Sequence, residues 1–150
     1  MSTLPAYVLD TSVAVKWFAD EGGTEQAKAI QLFEAFERGH CKLGAPQLLF
    51  FELANALMYS YKLSSSRIVD SLNFLQKLKI EVPPSNSATL ANAVEIASTC
   101  RATIYDSYFL ALALETDSVL VTADEVFLRK ARHLPKIISL RLLQLTGRNP

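Results

Sequence analysis

The stretch YVLDTS at residues 7–12 sets the interpretation of the whole chain, because it joins a short apolar run to polar side chains. Residues 7–9 favour a buried strand, and Asp10 with two hydroxyl residues follows directly. The stretch VLVTAD at residues 119–124 has the same design, an apolar run followed by a hydroxyl residue and Asp124. Both stretches predict an acid and a hydroxyl at the carboxyl end of a strand.

Between these stretches, short apolar runs alternate with longer helical patterns, as is typical of α/β proteins. The predicted helices cover residues 24–38, 46–61, 64–78, 88–100, 106–116 and 124–132. The other predicted strands cover residues 42–45, 80–82 and 137–138. Strands that are apolar on both faces and alternate with helices indicate a mainly parallel sheet covered on both sides. Ligands of such sheets collect beyond the carboxyl ends of the strands.

The composition limits the class of protein. The chain has 150 residues, half of them apolar, with 15 Lys and Arg against 15 Asp and Glu. This balance excludes a disordered tail, a collagen-like fibre and a low-complexity linker, and we expect one domain over residues 1–150. We find no run of the roughly 18 apolar residues that a membrane span needs, and no signal peptide. Two cysteines are too few for a disulfide framework, so we expect a cytoplasmic protein without membrane contacts.

Two further acids lie in apolar helical segments. Glu52 belongs to residues 48–58, which are apolar nearly all round, so this helix is expected to be buried on most sides. An ionised glutamate on a buried helix needs a partner. Asp106 opens the equally apolar helix predicted over residues 106–116.

Each of these acids also has an ordinary structural explanation. Asp10 and Asp124 could serve only as caps of the following helices. Glu52 could belong to a salt bridge or to a solvent-facing stripe, and Asp106 could simply complement a helix dipole. These explanations stay open unless the four acids meet in one place.

If the four acids do meet, their repulsion demands compensation. Two carboxylates about 5 Å apart repel by roughly 3 kcal/mol at an effective dielectric near 20, and four of them by on the order of 10 kcal/mol. This rivals the ~5–15 kcal/mol stability of a domain, so the cluster must take up protons or hold a cation. Because every candidate ligand is an oxygen, the expected cation is Mg²⁺ or Mn²⁺ rather than Zn²⁺.

The basic residues are unevenly distributed along the neutral chain. No acidic residue follows Val126, whereas six basic residues do: Arg129, Lys130, Arg132, Lys136, Arg141 and Arg148. The candidates for contact with a substrate phosphate are Lys16, Arg129, Lys130 and Arg132. The alternative for each of them is a solvated surface position.

The sequence resembles PIN-domain ribonucleases, and most closely the VapC-type toxins of toxin–antitoxin pairs. The resemblance covers nearly the whole chain and rests on four motifs in order. These motifs are VLDTS at 8–12 with VKWF at 15–18, ELANAL at 52–57, YDSYFLALA at 105–113 and LVTAD at 120–124.

This resemblance implies a three-layer α/β/α fold and a metal-dependent endoribonuclease. Asp10, Asp106 and Asp124 would bind Mg²⁺ or Mn²⁺, and Glu52 would hold a second ion or orient the attacking water. The supporting groups would be the hydroxyls of Thr11, Ser12 and Thr122 and the amide of Asn55. The resemblance also implies an RNA substrate, a homodimer and a cognate antitoxin that silences the toxin.

Two other functions were weighed against this one. Phosphoryl transfer on Asp10 would need a second acid beside it or two residues later, where Thr11 and Ser12 stand. A PIN-like module for RNA binding or assembly would have an idle site, and the loss of one or more acids would mark it. All four acids are present, so the sequence favours the enzyme.

Overall fold

The structure, a computed structural model, describes residues 3–145. The strands within this range are β1 (Ala6–Leu9), β2 (Lys42–Gly44), β3 (Val119–Thr122) and β4 (Ile137–Ser139). The α-helices of the same residues are α1 (Thr11–Ala14), α2 (Gly23–Glu37), α3 (Leu48–Tyr59), α4 (Ser65–Lys77), α5 (Ser87–Cys100), α6 (Ile104–Glu115) and α7 (Glu125–Lys130). Short 3₁₀ turns cover Val15–Trp17 and Leu140–Leu142.

The four strands form one parallel sheet in the order β2-β1-β3-β4. The two central strands pair in register, with Val8 opposite Leu120 and Leu9 opposite Val121. The chain moves one way across the sheet from β1 to β2 and the other way from β2 to β3. Because crossovers between parallel strands are right-handed, this reversal puts helices on both faces. The predicted α/β/α fold with a parallel sheet is confirmed.

Helix α6 is the central helix of the core. It packs against β1 and β3, and residues 107–113 are buried without interruption. Each fully buried Leu or Phe in such a segment stabilises the fold by roughly 1.5–3 kcal/mol. The helix therefore holds Asp106, at its first turn, in a fixed position relative to the two central strands.

The predicted strand at residues 80–82 is wrong. Only a single parallel bridge forms there, between Glu81 and Gly44. Glu81 N donates to Leu43 O and Ala45 N donates to Glu81 O, both at 2.9 Å. The two prolines at residues 83–84 have no backbone N–H, so the pairing cannot continue past this bridge.

The expectation that α3 is buried on most sides is also wrong. Its buried residues are Leu49, Leu53 and Leu57, which are spaced four apart and form one stripe. Phe51 is 68% exposed and Tyr59 is 70% exposed. Helix α3 is therefore a surface helix with an apolar outer face. None of the helices in residues 3–145 is long and apolar enough to cross a membrane.

Candidate functional site

The four predicted acids line one open cleft of about 570 Å³ at the carboxyl edge of the sheet. Strand β1 leads directly into Asp10, and Asp124 follows β3 after one residue. Helix α3 supplies Glu52, and α6 supplies Asp106. We call these four residues and the opening between them the carboxylate cleft. The structure therefore brings together acids that are up to 114 positions apart in the sequence (124 − 10).

Asp10 is held by a hydrogen-bond network that ties the two central strands together. Its Oδ2 accepts from Thr122 Oγ1 at 2.8 Å, from Ser12 Oγ at 2.5 Å and from Ser12 N at 3.4 Å. The hydroxyl oxygens accept in turn, Ser12 Oγ from Ala123 N at 2.9 Å and Thr122 Oγ1 from Asp124 N at 3.1 Å. Both hydroxyl protons are thus committed to Asp10 Oδ2. No residue of the described chain donates to Oδ1, which is the oxygen left for a ligand.

Glu52 is oriented by a contact between two helices. Thr11 Oγ1, at the start of α1, donates to Glu52 Oε1 on α3 at 2.8 Å. Asn55 also lines the cleft, one turn further along α3. Asp124 caps α7, because its Oδ1 accepts from Phe127 N at 3.0 Å. The capping role considered for Asp124 is therefore present, but it occupies one carboxylate oxygen only.

The cleft disfavours negative charge on three of its acids, Asp10, Glu52 and Asp106. Burial raises the pKa of Asp10 above its usual value, and the charge of Asp106 adds to this, although the hydroxyls of Ser12 and Thr122 oppose it. Burial also raises the pKa of Glu52, whose bond from Thr11 opposes the shift while the nearby acids add to it. The pKa of Asp106 is raised first by burial and then by the charge of Asp124. In the absence of a cation, these acids therefore hold protons more readily than free carboxyls.

The predicted basic residues occupy different surroundings. Lys130 lies near enough to Asp106 for its positive charge to oppose part of the rise in the pKa of that acid. Arg129 and Arg132 are exposed. Arg148, counted with them in the sequence, lies outside the described residues.

Lys16 does not lie at the cleft. It is buried, and its ammonium pairs with Glu21 and, at 3.6 Å, with Glu25. An ammonium held by two carboxylates is not free to meet a phosphate, so the expected phosphate contact of Lys16 is corrected to a structural ion pair.

The donor set of the cleft fits a hard cation, because all its side-chain ligands are oxygens and Asp10 Oδ1 receives no hydrogen bond from the described residues. Within residues 3–145, however, no group of three or more His, Cys, Asp or Glu side chains is close enough to hold a metal ion. Repulsion between the carboxylates opposes a closer approach. The bonds from Thr11 to Glu52 and from Phe127 to Asp124 also keep these acids on their own elements. Binding of a cation would need the acid side chains to come closer together.

Two aromatic residues at the cleft were not anticipated. Phe51 and Tyr105 line it beside the acids that follow them in the sequence. The available signal was their place within apolar motifs next to Glu52 and Asp106. An apolar residue in such a motif is usually assigned to the core, and only the packing shows that these two rings face outward.

Comparison with known proteins identifies the family of the chain. The model of the PIN domain family matches residues 7–133. A search of curated protein sequences gave no match. Among solved structures, PAE2754 from Pyrobaculum aerophilum has a TM-score of 0.65 at 19% identity, with 91% of this chain and 84% of that chain covered.

Two further solved structures have a similar fold. VapBC2 from Rickettsia felis, bound to a DNA fragment from its promoter, gives a TM-score of 0.66 at 14% identity over 89% of this chain and 96% of that chain. FitAcB from Neisseria gonorrhoeae gives 0.66 at 15% identity over 91% and 99%. Identities this low establish a shared fold. The family match spans most of the chain and confirms the resemblance found in the sequence: this chain belongs to the PIN domain family.

Proposed function

We propose that this PIN domain is a divalent-metal-dependent endoribonuclease and the toxin component of a toxin–antitoxin pair. The observation that carries the proposal is the carboxylate cleft, where four acids from four separate elements face one opening. A structural cap needs one acid, and a structural salt bridge needs an opposite charge. Four acids in a cleft that no Lys or Arg of the described residues lines satisfy neither description.

Asp10, Asp106 and Asp124 would hold Mg²⁺ or Mn²⁺, and Glu52 would hold a second ion or orient the attacking water. When bound, the ion supplies charge neutralisation at the phosphate and a more acidic water. Ser12 and Thr122 keep Asp10 aligned, since both donate to its Oδ2.

Glu52 positions the attacking water, and three basic residues outside the cleft position the strand. Thr11 holds Glu52, whose raised pKa suits it to accept a proton from water. The water oxygen then bonds to phosphorus, the bond from phosphorus to the leaving sugar oxygen breaks, and that oxygen takes up a proton from solvent. Lys130, with Arg129 and Arg132 beside it in the chain, provides positive charge for the flanking phosphates.

The proposal of a toxin is supported by fold likeness to proteins from complexes of this kind, such as the toxin–antitoxin complex from Klebsiella pneumoniae (TM-score 0.64, 14% identity). The partners would be a cognate antitoxin and a second copy of the chain, in the cytoplasm. A surface suited to protein partners exists. Away from the cleft, Phe74 of α4 is exposed beside Phe18 and Phe33.

The test of the enzyme is RNA cleavage by the purified protein, titrated with Mg²⁺ and with Mn²⁺. We expect cleavage that rises with either metal and stops with a chelator. Asp106→Asn should abolish it. Asp117→Asn should not, because Asp117 is an exposed acid paired with Lys136 outside the cleft. Binding of RNA without metal-dependent cutting would instead identify a PIN-like binding module with an idle site.

The test of the toxin role is separate from the test of the enzyme. Expression of the chain should arrest growth, and Asp106→Asn should relieve the arrest. A small protein encoded immediately upstream should bind the chain and suppress both growth arrest and cleavage. Cleavage without growth arrest would leave the nuclease and remove the toxin assignment.

A further inference from the structure

Two exposed aromatic rings border the carboxylate cleft and have no part in the reaction described above. Phe51 of α3 is 68% exposed, and Tyr105 of α6 is 57% exposed. Both line the cleft, and each directly precedes one of its acids, Glu52 or Asp106. The two rings come from different helices and meet the same opening. An aromatic ring therefore lies next to an acid at two places on the border of the cleft.

The cleft by itself attracts a nucleic acid poorly. Its four carboxylates repel a polyanion, and the formal net charge of the chain is zero. No Lys or Arg of the described residues lines the cleft, although the charge of Lys130 reaches Asp106. Affinity for a strand must therefore draw on contacts that do not depend on charge. Stacking of bases on aromatic rings is such a contact, and it tolerates every base.

We propose that Phe51 and Tyr105 stack on unpaired nucleobases that flank the phosphate at the carboxylate cleft. This assignment rests on the proposed nuclease function and names the groups that hold its substrate. Bases in a duplex are already stacked on one another, so the two rings would select single-stranded or looped segments. Asn55 and Ser60 line the same opening and offer hydrogen bonds to base edges.

A protein surface is the other occupant to consider for two exposed rings. Such a partner would cover a cleft lined by four acids and would have to neutralise them, because burying unpaired charge is costly. Within the proposed function, the divalent cation held by these acids would offset their charge, so the phosphate of a strand can meet the cleft while its bases meet the rings. The position of the rings at the rim of the acids therefore favours the strand.

The experiment compares binding of two oligoribonucleotides of equal length, one intact and one in which abasic units replace the bases. Binding is measured with Ca²⁺ in place of Mg²⁺, and a denaturing gel checks that the strands stay whole. We expect Phe51→Leu and Tyr105→Leu each to weaken binding of the intact strand about tenfold. Neither change should affect the abasic strand. Phe51→Tyr and Tyr105→Phe, which keep the ring, should bind as the wild type does.

The chain offers a matched control in Tyr59, which is 70% exposed on the same helix as Phe51 but does not line the cleft. Tyr59→Leu should leave both affinities unchanged. Equal losses on intact and abasic strands, or a change in oligomeric mass without a base-dependent loss, would assign the rings to a protein contact and overturn the proposal. Failure of the wild type to bind either strand would overturn it as well.

Cleavage assays with Mg²⁺ on the same variants separate this inference from the proposed function. If the wild type cuts RNA but the leucine variants bind it unchanged, the stacking assignment alone is wrong. If no metal supports cutting but base-dependent binding through the two rings persists, the nuclease reaction alone is wrong.

Discussion

Charged side chains are concentrated in two regions of this molecule: in one region opposite charges are paired, and in the other the charges have the same sign. In the ion-pair cluster around α2, every charge has a partner. Lys16 pairs with Glu21 and Glu25, and Arg141 pairs with Glu25 from the other side. These pairs join the first 3₁₀ turn, α2 and the turn at residues 140–142, so the cluster fastens distant parts of the chain.

In the carboxylate cleft, the charges have the same sign. The hydrogen bonds that reach Asp10 and Glu52 come from neutral hydroxyls and one backbone N–H. Neutral donors orient a carboxylate without cancelling its charge, so the cleft keeps a negative potential that a cation can use. Opposite charges around α2 are paired and stabilise the fold, whereas the acids of the cleft keep a charge that a bound cation could neutralise.

The largest effect that would break this comparison concerns Asp10. We expect Asp10→Asn to reduce RNA cleavage by more than about 100-fold, beyond the loss typical of residues behind a metal ligand. Asparagine keeps the shape and an acceptor for Ser12 and Thr122 but removes the charge, so the fold should persist. The measurement is cleavage rate per folded molecule, with folding checked by circular dichroism. A variant that cuts at the wild-type rate would remove Asp10 from the mechanism.

The next effect concerns the ion-pair cluster. Lys16→Met should lower the free energy of unfolding by about 2 kcal/mol, less than the ~3–5 kcal/mol of a fully buried pair because both glutamates are partly exposed. Denaturant titration measures it. Lys136→Met is the control, since the pair of Lys136 with Asp117 lies at the surface and should matter little.

Lys16→Met also distinguishes a structural ion pair from a phosphate contact at Lys16. Cleavage by the folded variant should equal that of the wild type, because the ammonium is committed to glutamates. A normal stability together with weakened RNA binding would return Lys16 to the phosphate contacts expected from the sequence.

A smaller effect sharpens the account of the cleft. Thr122→Val keeps the side-chain shape but removes the donor to Asp10 and the acceptor for Asp124 N. Cleavage should fall about tenfold, as for other groups that orient a metal ligand. Thr122→Ser, which retains the hydroxyl, should recover most of the rate. Equal losses in the two variants would mean that packing at this position, and not the hydrogen bonds, orients Asp10.

The smallest effect is a dependence of stability on pH in the absence of divalent cations. Because burial raises the pKa of Asp10 in the folded protein, stability falls as the pH rises from the unfolded value near 3.8 to the raised folded pKa, and the loss is complete above it. Asp10→Asn should therefore be more stable than the wild type at neutral pH. The difference should shrink as the pH falls through the folded pKa towards the unfolded value near 3.8, since the wild type then binds its proton. A difference that stays constant between pH 7 and pH 4 would contradict this.

Much of the scaffold was predictable because it follows from local patterns. The apolar runs before Asp10 and Thr122 predicted two central parallel strands, and parallel strands end at the same edge of a sheet. The convergence of Asp10 and Asp124 follows from that rule alone. The apolar character of α6 likewise predicted its central place, whereas the packing decided that Asp106 lies at the same end of the sheet as Asp10 and Asp124.

The predictions that went wrong concern surroundings that no local pattern contains. The outward apolar face of α3 and the pairing of Lys16 depend on what other elements pack nearby. The bond from Thr11 to Glu52 depends on how α1 meets α3. Residues 80–82 have strand propensity, but the prolines at residues 83–84 have no backbone N–H, so pairing stops after one bridge.

The amino-acid sequence by itself determined the α/β class, the parallel sheet and the identity of the four acids, because periodicity and residue chemistry are local properties. Only the tertiary structure decided which charges are neutralised and which aromatic rings remain in solvent. Burial and partner choice are properties of the packed molecule. They separate Lys16, held between glutamates, from Phe51 and Tyr105, exposed at the rim of the carboxylate cleft.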